Sequence, residues 1–117
     1  MRARAFLLLL APTPLASGPA AAHHGWGSYD ANKVLVVEAK VVESSYGFPH
    51  GEVVLDAAGK RWRCVLAPPS RMESRGLKRE AIAVGQTIKV EGYPSKVHDD
   101  EMRVERVTVG GQVIEMR

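Results

Sequence analysis

One cysteine, Cys64, is all the chain holds, so no disulfide can close within it and a packed core must supply its stability. Long apolar runs are missing too. The most apolar stretch, Ala5 to Ala11, is cut off by Pro12 and Pro14 and falls far short of the roughly 20 residues of a membrane span. An excess of one charge is also lacking once the leading segment is set aside. The 16 Lys+Arg less Arg2 and Arg4 leave 14 against 13 Asp+Glu, a net charge near +1. Nucleic-acid binding needs a clustered basic surface, and this balance excludes it. Arg71, Arg75, Lys78 and Arg79 do gather, but Glu73 and Glu80 interleave with them, which is the pattern of a solvated helix face. Catalytic motifs are absent as well: Ser70 sits on no strand–turn–helix elbow, and no carboxylate pair has a recognisable spacing. The chain is not expected to be an enzyme.

What is present begins with the leading segment. Arg2 and Arg4 form a positive start and Ala5 to Ala11 a short apolar core. Ala20-Ala21-Ala22 then offers small residues at positions −3 and −1 of a cleavage site. Residues 1–22 read as a cleavable signal peptide, and the remainder as an exported domain, periplasmic or secreted, with no membrane span in its mature form.

Residues 23–32 are rich in Gly, His and small side chains and lack periodicity, so an extended N-terminal arm is expected there. Residues 33–117 carry period-two alternation. It predicts strands over Lys33–Glu43, Glu52–Asp56, Arg61–Leu66, Thr87–Tyr93, Met102–Val109 and Gln112–Met116. Between the third and fourth, Pro68-Pro69-Ser70 starts a short helix, with Glu73 in capping-box spacing from Ser70, and Gly76 ends or bends it. Lys78 to Val84 adds another turn, and Lys96 to Glu101 is a polar loop. The fold class is mainly all-β: a small five- to six-stranded OB-like barrel with one short helix between strands 3 and 4. An open β-sandwich or roll is its rival. Cys64 shares one face of its strand with Trp62 and Leu66 and reads as a buried, inert thiol.

The chemical signal lies in four histidines, His23, His24, His50 and His98. Cleavage after Ala22 makes His23 the first residue, with a free α-amine beside its own imidazole. Amine plus imidazole forms a chelate, and a second imidazole would complete a flattened three-nitrogen site of the kind that favours Cu(II). Cleavage after Ala21 places a histidine third instead, where the amine, two amide nitrogens and that imidazole suit square-planar Cu(II) or Ni(II). His50 follows Tyr46-Gly47-Phe48-Pro49, where proline fixes the backbone ahead of the second strand, and is the expected partner imidazole. His98, beside Asp99 and Asp100, reads as a solvated residue. Met72, Met102 and Met116 could offer soft ligands to Cu(I), although Met102 fits the core better. Copper bound through His23, His24 and His50, for metal handling or delivery to a periplasmic partner protein, is the leading expectation. A copper redox activity would use the same histidines. The alternative is a binding module whose Trp26, Tyr46, Phe48 and Trp62 form a stacking surface for a glycan, peptide or partner protein.

Several of these segments occur together in order: Ala22-His23-His24-Gly25-Trp26, Tyr29-Asp30, the valine-rich strand, Pro49-His50, Leu66-Ala67-Pro68-Pro69-Ser70-Arg71 and Arg75-Gly76-Leu77. The set resembles the small secreted bacterial proteins of the domain-of-unknown-function family numbered 6152, as do the Gly85 to Gly92 strand and the Gly110-Gly111 turn. The resemblance implies A-H-H at the processed N-terminus and N-P-H before the second strand. Here Phe48 stands where that pattern has asparagine. The resemblance implies an exported domain with two marked histidine positions, and no activity.

Overall fold

Six strands form where the alternation predicts them. The computed structural model describes residues 25–117, so the expected signal peptide, His23 and His24 lie outside the described residues. The strands are β1 (Leu35–Ser45), β2 (Glu52–Ala57), β3 (Lys60–Val65), β4 (Thr87–Pro94), β5 (Glu101–Val109) and β6 (Gln112–Glu115), with a helix α1 (Pro69–Ser74) between β3 and β4. Neighbours run β3-β2-β1-β4-β5-β6, and a parallel β3–β5 pairing closes the first five into a barrel. Antiparallel pairing elsewhere, parallel closure by the third and fifth strands, and a helix between the third and fourth make this the OB-like barrel, with β6 as an added strand. Closure leaves few bare sheet edges on so short a chain. Among the described residues no helix is long and apolar enough to cross a membrane.

The longest strand makes the curvature possible. The first half of β1 pairs with β4 (Leu35↔Gly92 through Lys40↔Thr87) and its second half with β2 (Val41↔Leu55 through Ser45↔Glu52). A register shift between Val41 and Glu43 marks the change of partner, and a bulge at that point bends a strand from one neighbour to the next. Strand β1 therefore continues through Ser44 and Ser45, where the sequence reading ended it. It also starts two residues later than expected, leaving Val34 largely exposed. Inward side chains such as Val53, Leu55, Cys64, Val90, Met102 and Val104 lose essentially all contact with solvent.

The connections follow from backbone chemistry. The β5–β6 turn places Gly110 and Gly111 at φ 56° and 80°, a pair of left-handed residues that suits a two-residue hairpin loop. Helix α1 begins with Pro69 in its first turn, where its missing N–H costs nothing. No side chain caps it, so the expected Ser70–Glu73 capping box does not form: the cap position falls on Pro68, and Ser70 is already inside the helix. Gly76, at φ 89°, ends it. The Gly76 N–H donates to Glu73 O and the Leu77 N–H to Met72 O, the paired bonds of a Schellman stop, with Leu77 and Met72 both buried beneath. A short 3-10 turn, Arg79–Ile82, supplies the further turn that was expected after it.

The helix arginines do more than face water. Arg71 Nη1 donates to Met116 O (3.1 Å), and Arg75 Nη1 to Glu115 O (2.9 Å) and Arg117 O (2.6 Å). Arg79 lies over the Tyr46 ring at 5.3 Å. Helix α1 thus fastens the end of the chain, a role hidden from a local reading because the partners lie 40 or more residues away.

Candidate functional site

The most heavily built region outside the barrel core is where residues 25–30 cross the start of β5. The expected extended arm contains a 3-10 turn, Trp26–Ser28, followed by an isolated bridge from Tyr29 to Ser95. The Asp30 N–H donates to Pro94 O (2.9 Å) and the Lys96 N–H to Ser28 O (3.0 Å), so backbone bonds flank the bridge. Tyr29 is 2% exposed, and its hydroxyl donates to Glu101 Oε2 at 2.8 Å. Burial holds the Tyr29 phenol well above its usual range. The hydrogen bond and charge of Glu101 reinforce the shift, and Arg103 opposes it.

Glu101 therefore opens β5 as a buried side chain, where the sequence reading had it as the last residue of a polar loop. Arg103 is buried beside it, and burial pulls its guanidinium below the ordinary arginine range. Above this pair lies Trp26, half-buried. The Cζ atoms of Arg103 and Arg117 stand 4.8 and 4.4 Å from its ring centroid, and Tyr93 meets it edge-on at 6.2 Å. Local patterning could not reveal the Tyr29–Glu101 bond, since its ends are 72 residues apart. The available signal was a pair of aromatics, Trp26 and Tyr29, inside a segment otherwise made of small and polar residues.

His50 occupies the β1–β2 connection at the other side of β3. It is half-buried, it follows a cis Phe48–Pro49 peptide, and it directly precedes Gly51. Gly51 is locked to the end of β3: its N–H donates to Ala67 O and its carbonyl accepts from the Leu66 N–H. A side chain at position 51 would strike Met72, so the backbone beside His50 is pressed against α1. His50 thus sits at a firmly held position, as the proline turn suggested. Among the described residues, no three His, Cys, Asp or Glu side chains gather as a metal site. His98 lies in the β4–β5 loop, where its backbone N–H donates to Ser95 Oγ, and it helps line a cavity of about 340 Å³ with Arg63, Asp100 and Glu101.

The sulfur ligands are out of reach. Met72, Met102 and Met116 are each fully buried, which removes all three as Cu(I) ligands on this surface. Cys64 is equally buried, and desolvation pushes its thiol up to about 12. A thiol reagent at pH 8 should leave the native protein unmodified and react rapidly once denaturant is added. Rapid labelling of the folded protein would show that Cys64 is accessible after all.

The four aromatic residues are distributed over different parts of the molecule. Trp26 lies on the outer face of β5. Trp62 packs against the core on the inner face of β3, with Lys60 Nζ 4.0 Å over its ring. Tyr46 donates its hydroxyl to Leu77 O at 2.6 Å, and Phe48 stands 84% exposed on the loop before His50. On the outer face of β1 to β3, a cleft of about 190 Å³ is lined by Glu43, Ser44, Ser45, Glu52, Val54 and Arg63, none of them aromatic.

No curated protein matches the chain. The model of a family of unknown function, DUF6152, matches residues 13–103, more than three quarters of the sequence, and the chain belongs to this family.

Proposed function

We propose that the chain is an exported domain that binds Cu(II) through nitrogen donors, His23 or His24 with the free amine of the processed chain and His50 as the further imidazole. Its task on this reading is metal handling or delivery in the periplasm. The observation that carries the reading is the docking of Trp26 over Arg103. Arg103 pairs across β3–β5 with Val65, and Val65 across β2–β3 with Glu52. Two strand spacings of ~4.8 Å put the anchor of the arm about 10 Å from the start of β2, which His50 precedes by two residues. On this reading the copper ion draws together His50 and His24, which is joined to Trp26 by about 7 Å of chain at most.

The donor chemistry fits the same metal. With thiol and thioethers buried, soft sulfur donors are withdrawn, and the imidazole and amine nitrogens of this reading favour Cu(II) over hard cations. The aromatic stacking surface draws less support, because Trp26, Tyr46 and Trp62 each have other engagements. Purified exported protein should take up about one Cu(II), and His50→Ala should weaken the uptake at least tenfold, as read by competition titration. No copper above background in the processed protein would end this reading.

A further inference from the structure

Barrel closure makes no demand on residues 25–30, which lie ahead of β1 and contribute no strand to the barrel. Yet the fold spends a buried tyrosine, a buried carboxylate and two arginines on them. Three separate parts of the chain take part. The β4–β5 connection supplies backbone partners at Pro94, Ser95 and Lys96. Strand β5 supplies Glu101 beneath Tyr29 and Arg103 beneath Trp26. The end of the chain supplies Arg117, whose guanidinium also lies 3.6 Å from Glu105 Oε2 and whose carbonyl is held by Arg75.

We infer that Trp26, held by Arg103 and Arg117 and backed by the Tyr29–Glu101 bond, is a positioning residue that fixes the arm against β5 and so sets where the preceding histidines are tethered. The copper reading is presupposed for the metal-binding consequence, while the fixture itself stands apart from it. The physical gain is in local concentration. With Trp26 fixed, His24 hangs on about two residues of chain; with Trp26 released, it hangs on about four, back to Ser28, whose carbonyl accepts from the Lys96 N–H. Effective concentration falls roughly as the −3/2 power of tether length, so release dilutes the arm about threefold.

Two measurements test this on the processed protein. The first is Cu(II) affinity. Trp26→Ala and Arg117→Ala should each weaken binding, towards threefold for Trp26→Ala, and neither should weaken it further once His50 is already alanine. Losses that multiply in the double variants would overturn the positioning role, because a positioning residue acts only through the group it positions. The second uses no metal. In a Trp62→Phe background, acrylamide quenching reports on Trp26 alone: it should be shielded, and Arg117→Ala or Tyr29→Phe should raise the quenching constant severalfold. Quenching as efficient as that of a free indole, with no response to these variants, would overturn the fixture. A shielded Trp26 in a protein that takes up no copper would uphold the fixture and sink the copper reading alone.

Discussion

Replacing Gly92 with alanine is expected to destabilise the barrel by about 3 kcal/mol or more, enough to prevent folding in so small a domain. Strand β4 meets β5 at a register shift between Glu91 and Gly92, and the two backbones approach closely there. A Cβ at position 92 would land on the Arg103 carbonyl oxygen, with the carbonyl carbon at 2.8 Å and Val104 Cα at 2.9 Å. All three are main-chain atoms of a central strand, so no side-chain rotation can relieve the clash. The same segment carries Arg103 under Trp26, so any shift of β5 would also disturb the arm. Urea unfolding of Gly92→Ala, or its recovery only as aggregate, checks this. A midpoint within error of the parent would mean that the strands stand farther apart than described.

Tyr29→Phe should cost about 2 kcal/mol, because it strips a buried carboxylate of a hydroxyl donor while leaving the ring's packing intact. It should also change the alkaline limb of the stability profile. The folded-state phenol is harder to ionise than the unfolded one, whose ordinary pKa is 10.0. Above that pH the unfolded chain therefore holds fewer protons than the folded one, and stability falls. The contribution is complete below pH 10 and drains away as the pH climbs beyond it. The parent should lose stability more steeply above pH 10 than Tyr29→Phe does, in paired denaturant titrations at pH 8 and pH 11. Equal slopes, with a loss under about 0.5 kcal/mol, would mean that the hydroxyl bond contributes nothing.

These two residues also show what local patterning can and cannot disclose. Strand positions were legible because inward and outward side chains alternate: Ile88 and Val90 face the core while Lys89 and Glu91 do not. The helix stop at Gly76 was legible because a left-handed residue favours glycine. The closing β3–β5 pairing could be expected only from element order, since no short-range signal encodes a parallel contact between strands almost 40 residues apart. Glu101 was misread because charge predicts exposure, yet it is buried against a tyrosine of the arm. Arg75 faces solvent as expected, and what the pattern could not disclose is that it and Arg71 also reach carbonyls at the chain end. His50 was legible as a held residue from Pro49 alone. What lies over Arg103 was not, because a tryptophan among glycines has no periodicity to place it.

The meeting of Trp26 with Arg117 has a practical corollary. Leading and trailing parts of the chain share one neighbourhood, so a polyhistidine tail fused after Arg117 would emerge beside the arm. Its imidazoles would compete for any ion offered there, and its bulk would crowd the indole. Purification handles for metal work on this protein therefore belong elsewhere, with the Ala58-Gly59 hairpin tip offering an exposed insertion point that touches neither end.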